Sequence, residues 1–269
     1  MENLDLLAEK IYLHFMDVEN RSYPLLLEKE EIKKSLEKTN KSLDSFYFLD
    51  KIDDEIQGIC SYYINKEDKY IQTEIFVSFN HNEGFINKVL SNLIESYPDY
   101  TIDVGVEACN SLLIDELQKK GFKIMDDLYS ASIKVNESNY SKYPDIESID
   151  KAKWDLFKKI HQQYFAEEYW TFDRIKENFD IWKIYSINDG QQIKAYIFIK
   201  TSLSDETCEI FGIYSNSLEE GKRLMEHALA SLNDKEIMYY FIEDEKEVEA
   251  CQKLGFTIHG HYRDWQYKK

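Results

Sequence analysis

The sequence predicts an α+β protein layered α/β/α, built from two copies of one domain, each a mixed, mainly antiparallel sheet flanked by helices. Three observations predict it. The run NSLLIDELQKKGF (Asn110 to Phe122) has a counterpart, DEKEVEACQKLGF (Asp244 to Phe256), 134 residues later. The triplet Glu74-Ile75-Phe76 recurs as Glu209-Ile210-Phe211, 135 residues later. In each half a single glycine, Gly84 or Gly221, then opens a segment of helical apolar spacing. The same elements in the same order at the same spacing mark a duplication.

Each element follows from local pattern. In the first copy, helical spacing covers Leu6 to Phe15 and Leu26 to Leu36, and strand-like runs follow at Phe46 to Leu49, Ile56 to Ile64 and Tyr70 to Val77. A helix from Gly84 to Tyr97 precedes a strand from Thr101 to Val106 and a helix from Ser111 to Lys120, with closing strands at Phe122 to Met125 and Tyr129 to Val135. In the second copy, helices fit Ala152 to Tyr164 and Phe172 to Phe179, and strands fit Ile181 to Ile187, Ile193 to Lys200 and Glu206 to Ile213. There follow a helix Glu219 to Leu232, a strand Ile237 to Ile242, a helix Glu245 to Leu254 and a closing hairpin from Phe256. Gly121 and Gly255 each follow a helix-ending segment, where a left-handed C-cap is expected. The polar stretch from Asn136 to Ser148 reads as the junction, dividing the chain into 1–138 and 139–269.

Composition narrows the function. A net charge of −18 argues against nucleic acid or an anionic membrane surface as the main partner, since both select cationic patches. The longest apolar run, Ala195 to Ile199, is far short of the ~18 residues of a membrane span. The opening residues show no basic-then-apolar leader, and Cys60, Cys109, Cys208 and Cys251 have no CxxC spacing, so free thiols in a reducing cytoplasm are expected. No HExxH or HxxxH pair, GxSxG elbow or Walker loop is present, so no metal site, hydrolase or NTPase is expected.

The order helix-helix, three strands, helix, strand, helix, closing strands resembles the GNAT superfamily of acyl-CoA-dependent N-acetyltransferases. The strand-glycine-helix unit (Glu209 to Leu229) and VEACQKLGFTIHGHYRDW (Val248 to Trp265) carry the likeness, and two copies make the chain similar to tandem members. The resemblance implies transfer of an acetyl group from acetyl-CoA to an amine of a small molecule, in the second copy, with the first a structural or regulatory partner. It implies a cofactor site drawn from Phe211, Ile213, Ser217, Glu219, Gly221, Lys222, Arg223 and Asp244. The family's Q/R-x-x-G-x-G/A loop is degenerate here: Asn216 and Glu219 stand at its first position and middle glycine, and Phe79 and Asn82 in the first copy. Ser217 and Glu220 instead fit a capping box.

For the chemistry, the resemblance implies Glu209 as the base, with Glu74 its counterpart. Cys251 stands where many members place the tyrosine that reprotonates the leaving thiolate, and Leu117 stands there in the first copy. A cysteine on an apolar helix face is also a packed small hydrophobe. Tyr239 and Tyr240 are other donors on the fifth strand. Asn110 and Asp244 open the last helices, where capping accounts for them fully. Acceptor selection falls to LFKKIHQQYFAEEYWTFDRI, with Tyr164, Phe165, Glu167, Glu168, Tyr169 and Trp170, an aromatic and acidic cluster suited to an amine. The alternative is a catalytically degenerate GNAT-like binding or regulatory module. A duplicated domain stands in for a dimer, so monomer and homodimer are both open.

Overall fold

A computed structural model describes residues 3–53, 55–135, 140–166, 168–190, 192–201, 207–232 and 237–269. The expected boundary after residue 138, Glu167, and the expected strand start at Glu206 lie outside them. The chain forms two compact units, one of residues 1–128 with 260–269, the other of residues 129–259.

In the first unit α1 (Leu4–Phe15) and α2 (Lys29–Lys41) precede the antiparallel meander β1 (Ser45–Ile52), β2 (Glu55–Asn65) and β3 (Tyr70–Ser78). Then come α3 (Glu83–Ser96), β4 (Thr101–Glu107), α4 (Ser111–Lys119) and β5 (Lys123–Lys134). β4 runs parallel to β3 over only Tyr70↔Thr101 to Gln72↔Asp103. The sheet separates two cores. Phe85, Ile86 and Leu90 of α3 and Leu113 and Leu117 of α4 pack on Ile71, Ile102 and Val104. Leu7, Ile11 and Phe15 of α1, with Ile32 and Leu36 of α2, pack on Ile59, Ile75 and Val77 on the other face.

The second unit repeats the plan. A short strand β6 (Ile146–Ser148) is followed by α5 (Trp154–Tyr164), α6 (Phe172–Glu177), β7 (Trp182–Asn188), β8 (Ile193–Thr201) and β9 (Thr207–Tyr214). The order then runs α7 (Leu218–Leu229), β10 (Ile237–Ile242), α8 (Glu245–Leu254) and β11 (Thr257–Tyr267). Strands β6 to β9 are antiparallel neighbours, and β10 is parallel to β9. Ile210, Met225, Ala228, Met238 and Cys251 form the core beneath α7 and α8. Phe157, Phe172, Ile175, Trp182, Tyr196 and Phe198 form the one beneath α5 and α6.

Two sequence expectations are corrected. The closing pairs of strands are single continuous strands, β5 and β11. Residues 129–134 of β5 pair with β10, whereas residues 262–267 of β11 pair with β4, so each unit is completed by a strand from the other end of the duplication. Trp265 is thereby buried in the first unit's core. The second helix of the first copy starts at Lys29 rather than Leu26. The C-cap expectation holds: Gly121 and Gly255 have φ of 86° and 100°, and the Gly255 N–H donates to the carbonyls of Cys251 and Gln252.

Candidate active site

Strands β9 and β10 stay paired from Thr207↔Ile237 to Ile210↔Tyr240. Beyond that register β9 continues to Tyr214 without β10, and the two splay into a crevice at their carboxyl ends, the usual ligand position in such sheets. At the same place β9 carries a bulge: Ile199 faces Ile210 and Phe198 faces Gly212, leaving Phe211 as the extra residue. Gly212 is required there, because a Cβ would collide with the rings of Phe198 and Phe165.

The crevice leads to the start of α7. Ser217 Oγ accepts from the Glu220 N–H at 3.2 Å, as the capping box read from sequence requires, but the Glu220 carboxylate accepts from the Asn216 N–H at 3.2 Å, one residue before the N-cap, so only the Ser217 half of the box is formed. Glu219 is exposed and Gly221 is buried, its Cα facing Ile213 and Ser215. Lys222 lies 3.8 Å from Glu226, and Arg223 grips Asp145 at 2.6 and 2.8 Å while lying over Tyr143. Both cations therefore already have anionic or aromatic partners.

The chemistry-bearing residues lie in one cross-strand row. Trp182 of β7 faces Lys200 of β8, Lys200 faces Glu209 of β9, and Glu209 faces Tyr239 of β10. Cys208 and Ile210 point to the opposite core. Glu209 is half-buried, and burial pushes its carboxyl up to about 7 against the pull of Lys200. Burial likewise lowers the ammonium of Lys200, which lies 4.2 Å from the Trp170 ring centroid and 5.6 Å from that of Phe211. Trp170 and Phe211 are edge to face at 6.0 Å, and Trp182 closes the aromatic wall at 5.2 Å and 5.5 Å from them.

The remaining expected residues divide. Tyr169 is half exposed against Trp170, with the Arg174 guanidinium 3.9 Å above it, and Glu168 is exposed. Tyr164 stacks on Tyr214 at 3.9 Å, and their hydroxyls are 2.8 Å apart. Phe165 is stacked against His161. Asp244 accepts from the Lys246 N–H at 2.7 Å as the N-cap of α8. Cys251 is fully buried, its sulfur 3.9 Å from that of Met225, and burial pushes the thiol up to about 12. Tyr240 donates to Glu247 at 2.8 Å on that same core side.

Two residues escaped the sequence reading. Lys200 looks like an ordinary strand end until pairing puts it between Trp182 and Glu209. His161 is fully buried, with Nε2 2.8 Å from the Trp170 carbonyl and Nδ1 3.1 Å from the Tyr196 hydroxyl, so it fixes the segment that carries Trp170. Burial holds its pKa below the ordinary value.

The first copy differs at the corresponding crevice. β3 bulges at Glu74, between Ser61↔Ile75 and Tyr62↔Thr73, and the widening beside it holds residues 21–23 of the same unit. Ser22 bridges Val106, Ser22 Oγ accepts from the Phe76 N–H at 2.9 Å, and the Tyr23 N–H donates to the Gly105 carbonyl at 2.9 Å. The Glu107 N–H and the Asn110 side chain both donate to the Arg21 carbonyl. Among the described residues this is the sole bridge outside the named strands. Nor is any group of three or more His, Cys, Asp or Glu among them placed to hold a metal, and no helix is long and apolar enough to cross a membrane.

Neither a family model nor a curated protein matches this sequence. Solved structures do. A GCN5-related N-acetyltransferase from Sphaerobacter thermophilus superposes with a TM-score of 0.62 at 10% identity, over 89% of this chain and 85% of that one. One from Kribbella flavida gives 0.55 at 10% identity, over 99% and 96%. A tandem GNAT protein from the clavulanic acid biosynthesis pathway gives 0.54 at 8% identity, over 98% and 94%. Together with the repeated element order, these likenesses establish that the chain has the fold of the GNAT acetyltransferases in its tandem, two-copy form.

Proposed function

We propose that the second copy transfers an acetyl group from acetyl-CoA to an amine of a small molecule, and that the first copy is non-catalytic. The observation that carries this reading is the contrast between the two crevices. The β9/β10 splay lies beside Glu209 and Phe211, whereas β3 and β4 of the first copy are bridged by hydrogen bonds to residues 21–23.

Acetyl-CoA supplies the activated acetyl thioester; the protein must orient it, hold the amine and manage protons. The β9/β10 splay and the start of α7 at Ser217 to Gly221 would hold the thioester arm and pyrophosphate. Glu209, with its carboxyl near 7, takes a proton from the amine more readily than an ordinary carboxylate would. Trp170 and Phe211 wall the amine side, and His161 holds the Trp170 segment in place. For the leaving thiolate, Cys251 keeps its proton throughout the neutral range but is packed on Met225, and Tyr239 carries a hydroxyl in register with Glu209. The free cysteines support a reducing compartment such as the cytoplasm.

One observation favours the rival, a GNAT-like module that binds without catalysing: the turn that would meet a pyrophosphate is closed by Ser217 and Glu220, and its cations have partners. Titration calorimetry with acetyl-CoA separates the two. We expect one molecule bound per chain and thiol release when an amine panel is added. No binding at millimolar acetyl-CoA would leave the rival standing.

A further inference from the structure

We propose that the acceptor amine also carries a carboxylate, and that Lys200 is the specificity residue that holds it. This rests on the acetyl-transfer reading of the same site. Lys200 is half-buried, yet among the described residues no carboxylate oxygen lies within the 4.0 Å of an ion pair from its nitrogen. Its contacts are the faces of Trp170 and Phe211. Aromatic faces offset part of the cost of a shielded ammonium, ~0.5–2 kcal/mol, and an anion offsets far more. Glu209, its neighbour across the strand pair, is held toward its neutral form by burial and supplies only part of a charge at neutral pH.

A second donor in the row is also unmatched. The indole N–H of Trp182, which faces Lys200 in register, is buried and has no hydrogen-bond acceptor. Two donors on residues paired in register, neither with an acceptor, fit an anionic oxygen. On the other side of Lys200, Glu209 is an acceptor for an amine. Donor, donor, acceptor along one row matches a carboxylate and an amine on neighbouring carbons of one molecule. A polyamine brings no anion and puts a second positive charge beside Lys200.

The test uses the full chain and matched pairs of amines with and without the carboxylate, lysine against cadaverine and phenylalanine against phenethylamine. Binding is followed by calorimetry without acetyl-CoA, and turnover by thiol release with it. We expect the carboxylate-bearing member to be favoured about 10- to 100-fold in Kd and KM. Lys200→Met, which keeps the apolar stem, should erase the gap, while Lys200→Arg should keep most of it. Equal or better use of the decarboxylated member, a gap that survives in Lys200→Met, or no binding by any pair overturns the proposal. Failure of acetyl-CoA to bind would instead overturn the transfer reading, with the calorimetric comparison still deciding the role of Lys200.

Discussion

Ser22 Oγ lies 2.9 Å from the backbone nitrogen of Phe76, so a side chain of the first copy accepts from a strand amide between its splayed strands. Both residues are buried, at 1% and 2% exposure. Ser22→Ala leaves the Phe76 N–H without this partner and should destabilise the protein by about 1–3 kcal/mol, read by chemical denaturation. A loss below the error of that measurement would mean that the plug is loose.

The pH dependence follows from Glu209. Its carboxyl is raised in the folded state, to about 7, so the folded form binds more protons than the unfolded one between the ordinary carboxylate range and neutrality. Its contribution to stability is therefore more favourable at low pH and declines as pH rises toward 7. Turnover should move the opposite way, with kcat/KM rising through about 7 as the base form appears. Glu209→Gln should be more stable than the wild type at pH ~8 by about 1–3 kcal/mol, bind acetyl-CoA normally and lose turnover. Full activity in that variant would move the base elsewhere.

Glu219 is exposed at the first turn of α7. Glu219→Gly removes a like charge from the pyrophosphate position and should tighten CoA binding several-fold, corresponding to ~0.3–1 kcal/mol. Affinity that is unchanged or weaker in calorimetry means that the pyrophosphate binds elsewhere.

Cys251 is packed among apolar groups against Met225. Cys251→Ser places a hydroxyl in that core and should lower stability by about 1–3 kcal/mol, with kcat retained in the fraction that stays folded. A collapse of kcat at unchanged melting temperature would show instead that the thiol reaches the leaving group.

Trp265 is 3% exposed within the first unit's core. Trp265→Ala should cost about 3–5 kcal/mol, and hydrogen exchange should report the loss in β3, β4 and α4. A chain ending at residue 138 lacks residues 262–267 and should not reach the protection these elements have in the full chain. Equal protection would show that β4 is stable without that partner.

Local signals were legible and long-range ones were not. Gly255 and the Ser217 cap of α7 depend on a few neighbouring residues, so their chemistry reads directly from the chain. The duplication located Glu209, but its burial depends on pairing with Lys200 and Tyr239. Lys200 itself carries no motif; only strand register puts it between an indole and a carboxylate. The pairing of β5 with β10 was hidden because nothing near residues 129–134 specifies β10 as their neighbour. Residues 21–23 looked like a helix connection, and what they fill is formed by strands more than fifty residues away in sequence.

The interchange of closing strands bears on how such a chain is synthesised and inherited. β4 leaves the ribosome long before residues 262–267 exist, so the first copy has to wait, incompletely assembled, for a segment translated much later. A gene that deleted the first copy as dispensable would remove residues 129–134 along with it and leave β10 as a bare edge. Mutual completion of this kind keeps both copies under selection, whichever of them carries the chemistry.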